Sequence, residues 1–454
     1  MSHSKLPTAS ELGDILKISV PMSLGYLGHV AIGITDNIML GRLGTDALGA
    51  AGLALSIYGV ILTIGMGMLF PVLVLVPRAL GAGRSRTTTR IIRQGLWMAG
   101  ILSIPSCAIL WNLEKILLAA GQMPVLARMA GHYMDYFLWT VFPLLTAIVF
   151  SHAFIAVGRT VPVALISWFA VGLNTILNYA LIFGKFGAPA MGMAGAGLAS
   201  VIVYGTVHMI FFTSLALHRF FRHTTVFRRA WKPEWTILGQ FLRLGWPKAF
   251  ELTIKDSLYS VVALLAGWFG VQAVAAHTIA AKVYFVVNLV ISTAVADAIT
   301  ARMGIAVGRK DYTGIWDILN SGLLLCAFLM LPVVVVLKLF SPWVVMLFVG
   351  SGAKAQALMP TAVPLIVIIA FFMLLDSLRV VAGYALNGVG DMKAPALITA
   401  VSYWGIGLPC CIVFGFIMEM GVLGLWWGLL LGMSVTAITY LVRFRWVMRD
   451  FSST

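Results

Sequence analysis

The chain has 454 residues, of which 61% are hydrophobic and only 10% charged, and its formal net charge is +15. Its mean hydropathy is +0.98. A water-soluble protein of this length needs far more charge to cover its surface, so this composition excludes that class and predicts an all-α polytopic membrane protein. The four cysteines all lie in apolar stretches, where we expect small core residues rather than disulfides or metal ligands: Cys107, Cys326, Cys410 and Cys411.

Apolar runs long enough to cross a bilayer recur along the whole chain. A transmembrane helix needs about 20 predominantly apolar residues. Runs of this kind begin near residues 15, 46, 95, 131, 161, 191, 246, 274, 316, 360, 393 and 421. We therefore predict twelve transmembrane helices, called spans 1 to 12 in chain order.

The positive charges fall into alternate loops between these spans. Basic residues follow the second, sixth, eighth and twelfth spans: Arg78, Arg84, Arg86, Arg90 and Arg93; Arg219, Arg222, Arg228, Arg229, Lys232 and Arg243; Arg309 and Lys310; Arg443, Arg445 and Arg449. The positive-inside rule then places both termini in the cytoplasm. The charge is a topology signal that also suits contact with anionic membrane lipids. It does not indicate nucleic-acid binding.

The two halves of the chain resemble each other. The stretch GRLGTDALGAAGLALSIY from Gly41 aligns with GWFGVQAVAAHTIAAKVY from Gly267, and later blocks repeat in the same order. This duplication predicts two pseudo-symmetric six-helix lobes, 1–216 and 246–454. Residues 217–245 would form a cytoplasmic connecting loop with an amphipathic surface helix. Parallel repeats of this kind are a transporter architecture.

The first span contains a carboxylate, Asp36, inside the apolar run 15–40. An acid at membrane depth costs several kcal/mol unless it is protonated, paired or hydrated, so its default interpretation is functional. Asn174 and Asn178 lie four residues apart on span 5 and share a helix face, and Ser200 lies on span 6. These oxygens form a hard-ligand set for a sodium ion, while the carboxyl alone can carry a proton. The alternative is that the amides and the hydroxyl only cross-link helices.

Several stretches resemble the multidrug and toxic compound extrusion (MATE) family. They are TDNIMLGRLGTDALGAAGLA, PRALGAGR, the block beginning FIAVGRTVP, AAHTIA and LNGVGDMKAP. The resemblance implies a twelve-helix antiporter that expels amphipathic, often cationic compounds in exchange for sodium ions or protons. It also implies a cation site at Asp36, Asn174, Asn178 and Ser200, with serine where the family often has threonine. Asp36 and Asn178 are the candidate ligands if the bound cation is sodium rather than a proton.

The second half departs from the family pattern. Lys255 stands where many members carry an acid, with Glu251 one turn earlier, Asp256 next to it and Asp376 on span 10. Our hypothesis is that Lys255 pairs with Asp376, with Glu251 or alternately with both, which leaves no free sodium site in this lobe. The alternative is an ordinary helical pair between Glu251 and Lys255 near the cytoplasmic end.

Other polar residues inside the spans are weaker candidates for substrate contact or gating: Tyr58, His277, Tyr284 and Asp297. A hydrogen-bonded packing role is the alternative for His277. Two neighbouring pairs suggest structural ion pairs, Asp297 with Arg302 and Asp376 with Arg379.

Taken together, the sequence predicts a monomeric antiporter of the bacterial cytoplasmic membrane that works by alternating access and needs no cofactor beyond H⁺ or Na⁺. Its partners are amphipathic small molecules and membrane lipids. The competing hypothesis is a flippase for a lipid-linked precursor, which would line its path with several cations. A membrane enzyme is disfavoured because the chain shows no phosphate-binding loop ending in Lys-Ser or Lys-Thr, no HExxH, and no nucleophile with a paired base.

Overall fold

The structure is a computed structural model that describes residues 9–217 and 232–452, with the side chains up to residue 449. In these ranges the chain forms helices joined by short turns, and no strand is present. The predicted all-α fold with twelve transmembrane helices in two six-helix lobes is confirmed. Residues 218–231 of the predicted connecting loop, with most of its basic residues, lie outside the described residues, whereas residues 235–245, also predicted as loop, form the start of span 7.

The first half contributes spans 1 to 6. Their bounds are Ala9–Gly41, Thr45–Gly81, Ser85–Trp111, Pro124–Ala156, Val161–Phe183 and Met193–Leu217. Span 2 is interrupted at Phe70, immediately before Pro71, because proline lacks the N–H that would continue the helical ladder. A short helix, Leu113–Ala119, follows span 3.

The second half contributes spans 7 to 12. Their bounds are Trp235–Gly267, Val271–Arg309, Tyr312–Leu339, Ala353–Gly388, Lys393–Ile417 and Gly421–Ser452. Span 8 is also irregular, with a π-helical segment at Asn288–Thr293. A short helix, Ser341–Val349, follows the third span of this half as well. The two halves therefore repeat the same order of elements, which supports the duplication seen in the sequence.

Span 7 begins at Trp235, well before the apolar run that predicted it. Eleven of the helices in the described ranges are apolar enough to qualify as membrane spans by hydropathy. Span 7 is the exception because its middle carries charges: Arg243, Lys248, Glu251, Lys255 and Asp256. Its predicted start near 246 marked where the apolar sequence begins and not where the helix begins.

The contacts divide the chain into two compact units. One is Pro21–Ala249, and the other combines Met1–Val20 with Phe250–Thr454. Both divisions fall beside a proline inside a long helix, Pro21 in span 1 and Pro247 in span 7. These prolines match at the offset that aligns Gly41 with Gly267. A proline in a helix interior removes a hydrogen bond and bends the helix. In the first span of each half, the turns before the division therefore pack in one unit and the turns after it in the other.

In the unit Pro21–Ala249, ionic contacts fix the start of span 7. The Glu234 carboxylate binds both Arg90 and Arg93, with Arg93 Nη2 at 2.6 Å from Glu234 Oε1. Gln94 accepts a 3.0 Å hydrogen bond from the Glu234 amide. The bonds from Arg90 and then Arg93 outweigh desolvation and lower the pKa of Glu234. The contacts therefore stabilise the fold above the ordinary glutamate pKa, and this contribution is lost as pH falls through the lowered value.

In the other unit, a corresponding contact fixes the start of span 1. Arg302 Nε and Nη2 each lie 2.7 Å from a carboxylate oxygen of Glu11, and Arg302 Nη1 lies 3.2 Å from Asp14 Oδ2. The predicted pair between Asp297 and Arg302 is therefore wrong. The guanidinium instead takes the two-pronged arrangement that suits a carboxylate, with a second acid beside it.

Spans 11 and 12 approach each other closely through glycines spaced four apart: Gly424, Gly428 and Gly432. A methyl group at Gly428 would lie 2.3 Å from the backbone nitrogen of Cys411. Small residues at helical spacing let membrane helices pack backbone to backbone. All four cysteines are free thiols, and of the predicted core residues Cys326 and Cys411 are buried, whereas Cys107 and Cys410 are half-buried.

The first prediction concerns this contact. Gly428→Ala should lower the melting temperature of the purified protein in detergent, because backbone atoms must move to admit the methyl group at a cost of about 1 to 3 kcal/mol. Gly205→Ala is the matched control, since a methyl group there meets no atom within 4 Å. Equal melting temperatures for the two variants would contradict the packing.

Candidate functional site

The first site is built around Asp36, near the end of span 1. Its Oδ1 accepts hydrogen bonds from two amides of span 5, at 3.0 Å from Asn174 Nδ2 and 2.6 Å from Asn178 Nδ2. The two asparagines lie one helical turn apart and are themselves linked by a 3.2 Å hydrogen bond. Both are fully buried, and Asp36 is half-buried. The structure thus brings together three of the four residues predicted from the sequence.

Hydrogen-bond donors and no cations surround this carboxylate in the described part of the chain. No ion pair involves Asp36 among the side chains of residues 9–217 and 232–449. The Oδ1 of Asn178 is buried and has no hydrogen-bond partner there. A carboxylate with one oxygen held by amides, next to a free amide oxygen, can take up a proton or a small cation.

Ser200, the fourth predicted residue, is buried on span 6. Within residues 9–217 it forms no hydrogen bond to Asp36, Asn174 or Asn178. Two tyrosines that sequence reasoning missed do interact electrostatically with Asp36, Tyr133 and Tyr204. Tyr204 lies four residues after Ser200, so the shared helix face was the signal that could have identified it.

Tyr58 lies in the packed interior of the same half. Its hydroxyl is 2.6 Å from Thr140 Oγ1, and its ring makes an edge-on contact with Phe137 at 4.8 Å between centroids. Only 4% of Tyr58 is exposed. This environment positions the tyrosine as a rigid packing element, and its predicted substrate or gating role stays a prediction.

The second polar centre surrounds Asp376 on span 10. Arg379 Nε lies 2.6 Å from its Oδ1, while Tyr284 Oη and Asn288 Nδ2 donate to its Oδ2 at 2.9 and 2.6 Å. The side chains of Arg379 and Asp376 are 5% and 1% exposed. Asn288 opens the π-helical segment of span 8, a local distortion that aims its amide at the acid. The predicted pair of Asp376 with Arg379 is confirmed.

The predicted pairing of Lys255 with Asp376 or Glu251 is wrong among the described side chains. Lys255 Nζ lies 3.8 Å from Asp256 Oδ1. Arg379 occupies Asp376 because it lies one turn away on the same helix and reaches the acid without crossing between spans. Glu251 is 5% exposed, with the Tyr440 hydroxyl 3.5 Å from its Oε1.

Two further predicted residues are buried in the second half. His277 is 3% exposed, and its ring centroid lies 5.7 Å from that of Trp426. Asp297 is 2% exposed on span 8. His277 belongs to an aromatic cluster with Tyr259, Tyr284, Phe372 and Trp426. Tyr284 links this cluster to the acid, because its hydroxyl donates to Asp376.

A duplicated bundle of twelve membrane helices, with a half-buried carboxylate free of any ion pair in the described residues, defines the protein as a multi-pass membrane transporter. A sequence profile of the MatE family matches residues 21–180 and 247–413. The chain therefore belongs to the MATE family of transporters.

Relatives and solved structures agree with this assignment. The chain is 33% identical to proteins described as probable multidrug resistance protein NorM from Mesorhizobium japonicum and from Bradyrhizobium diazoefficiens. Each match covers 97% of this chain and 94% of the relative. The fold matches a Vibrio cholerae MATE transporter with a TM-score of 0.88 at 19% identity, covering 97% of this chain and 98% of that one. A MOP superfamily transporter from Pyrococcus furiosus matches with a TM-score of 0.88 at 21% identity, over 98% and 97% of the two chains.

The second prediction tests the buried pair. Arg379→Met should destabilise the protein by about 3 to 5 kcal/mol, because it leaves the Asp376 charge buried without its counter-ion. Adding Asp376→Asn should recover much of this loss, since the amide is neutral and its oxygen still accepts from Tyr284. Thermal unfolding of both variants in detergent measures the effect. A double variant less stable than Arg379→Met would contradict the pairing.

Proposed function

We propose that the protein is a secondary antiporter that exports amphipathic, often cationic compounds in exchange for protons, with Asp36 as the coupling carboxylate. Its membership of the MATE family supports drug or toxin export, and the relatives named for multidrug resistance support the same substrate class. To this we add that export is an exchange, that the exchanged ion is a proton and that Asp36 is the residue that binds it.

The contrast between the two intramembrane acids, Asp36 and Asp376, carries the proposal. Asp376 is neutralised by Arg379 and saturated by two further donors. Asp36 has only amide donors on its Oδ1, and no ion pair with a described side chain. A carboxylate at membrane depth without a fixed counter-ion gains most from binding a proton or a cation. Coupling therefore rests on the first half.

Protons suit the hydrogen-bond pattern at Asp36 better than sodium ions. Both asparagines present their Nδ2 groups to the carboxylate, so they stabilise its ionised form by donation. A proton can bind Oδ2 without rearranging them. A sodium ion needs oxygen ligands, and Asn174 Oδ1 already accepts from Asn178, so the Asn174 amide would have to turn before it could contribute.

Drug and proton compete for the same carboxylate in this cycle. Protonation removes the charge of Asp36 and lowers the cost of burying it, so span 1 can repack against span 5. Pro21 in span 1 and the break before Pro71 in span 2 provide points at which these helices bend. A cationic substrate favours the ionised form instead. Two ligands that bias one equilibrium in opposite directions produce alternating access.

The proposed setting is the cytoplasmic membrane of a bacterium, with both termini in the cytoplasm and the protein acting as a monomer. The basic loops support this orientation by the positive-inside rule. The bacterial origin of the relatives supports the location. Substrates reach the carboxylate from the cytoplasm or the inner leaflet and leave on the outer side.

The third prediction tests the coupling residue. Asp36→Asn should reduce efflux of a fluorescent cationic dye to the level of cells without the transporter, because the amide cannot exchange a proton. Asp46→Asn is the matched control, since this carboxyl is exposed just beyond span 1. Dye efflux from energised cells measures both variants, with surface-membrane content checked for each.

The same assay distinguishes proton coupling from sodium coupling, and an ion-coupled antiporter from the competing classes of transporter. Efflux by the wild type should follow an imposed pH gradient and ignore a sodium gradient. Efflux that follows only the sodium gradient would show that sodium, and not the proton, is the coupling ion. Efflux that responds to neither gradient would reject the antiport mechanism, and efflux that survives Asp36→Asn would remove Asp36 from the coupling role.

A further inference from the structure

Each half of the chain places the start of its first span in the unit formed by the other half. The leading segment of span 1, residues 9–20, packs with Phe250–Thr454, and the leading segment of span 7, residues 235–249, packs with Pro21–Ala249. The exchange is reciprocal and occurs at matching positions, because both divisions lie beside prolines that align in the two repeats. A reciprocal exchange of equivalent elements is the arrangement found in domain-swapped dimers.

The leading segment of span 7 is tightly packed in the unit Pro21–Ala249. The side chain of Phe241 is fully buried. A methyl group at Gly245 would lie 2.7 Å from the carbonyl oxygen of Met68. A methyl group at Gly67 of span 2 would lie 2.2 Å from the Cα atom of Ala249. Spans 2 and 7 therefore meet backbone to backbone, an approach that only small residues allow.

Positive charges hold the same segment in place. Lys248 is fully buried, and its Nζ lies 5.0 Å from the centroid of the Phe70 ring, at the break in span 2. Directly before the segment, the Glu234 carboxylate binds Arg90 and Arg93 of span 3. The second half of the chain is thus attached to the first unit by apolar, backbone and ionic contacts.

The leading segment of span 1 has an attachment of its own in the other unit. Ile15 is fully buried, and 8% of Ile18 is exposed. Arg302 of span 8 binds Glu11 through two nitrogens and Asp14 through a third. The first half of the chain is therefore attached to the second unit, just as the second half is attached to the first.

We propose that the two exchanged leading segments interlock the halves without covalent help, so that the partner which each half fits is the other half. Cutting the chain between residues 218 and 231 leaves both attachments intact, because each leading segment stays in the unit of its partner. Joining the halves in one chain raises their effective concentration during assembly. This inference concerns assembly and goes beyond the proposed transport function.

The fourth prediction uses the full-length protein with a protease site, flanked by flexible spacers, inserted between residues 224 and 225. The protein folds as one chain and is cut after purification in detergent. A tag at the C-terminus then captures the fragment that begins at residue 225. The fragment 1–224 should stay bound through dilution and washing. Fragments that separate as soon as the chain is cut would overturn the inference.

The cut protein also shows whether the leading segment of span 7 holds the halves together. Phe241→Ala should weaken retention of the fragment 1–224 about a hundredfold, because it empties a fully buried site. Leu242→Ala is the matched control, since 52% of this neighbouring side chain is exposed, and it should leave retention unchanged. The protein concentration at which half of the fragment is released measures each variant. Undiminished retention in Phe241→Ala would overturn the inference.

A milder pair of variants covers the case in which Phe241→Ala does not fold. Gly245→Ala presses a methyl group against the backbone of Met68 and should weaken retention about tenfold. Gly239→Ala, on the same leading segment, meets no atom within 4 Å and should have no effect. Equal retention in the two glycine variants would contradict the interlock. None of these measurements needs a substrate or an ion gradient, so their outcome is independent of the antiport mechanism.

Discussion

A carboxylate inside a membrane must be neutralised, and this constraint shapes the whole protein. The two halves of the chain neutralise their carboxylates in different ways. In the second half, Arg379 provides a permanent counter-charge to Asp376, and Tyr284 and Asn288 fill the remaining positions on the acid. In the first half, Asp36 is held by neutral amides, so its neutralisation depends on what it binds. One duplicated scaffold thus carries an acid with a fixed counter-charge and an acid without one, and in our proposal the second acid couples transport to an ion.

The fold supports this difference at the ends of the first span of each half. The contacts divide the chain within spans 1 and 7, beside Pro21 and Pro247. At the start of each span, before its proline in the chain, arginine–carboxylate contacts hold the helix in place. Arg302 binds Glu11 in one unit, and Arg93 binds Glu234 in the other. A helix held at its start and bent in its interior can change the packing of its later turns. Asp36 lies in those later turns of span 1.

Much of this arrangement could be predicted from the sequence. The twelve spans and the duplication follow from apolar runs and repeated small residues, because a membrane imposes span length and helical structure directly. The meeting of Asp36 with Asn174 and Asn178 followed from the helical spacing of the asparagines and from the family resemblance. The partner of Lys255 could not be predicted in this way, because several acids lie within reach of its long side chain. The sequence suggested the pair of Arg379 with Asp376, but it did not show that this pair keeps Lys255 away from the acid. Tyr133 was missed because the sequence of a membrane helix does not show which side chains an aromatic residue contacts. Tyr204 could have been found from its spacing of four residues after Ser200.

The central claim is that substrate and proton exclude each other at Asp36. It is tested most directly by proton release from the purified, detergent-solubilised protein when a cationic amphiphile binds, followed with a pH indicator in weakly buffered solution. The account predicts release of about half a proton per bound ligand at the midpoint of the carboxyl's titration, rising towards about one at lower pH, and none from Asp36→Asn. Binding without proton release in the wild type at every pH, or undiminished release in Asp36→Asn, would contradict it.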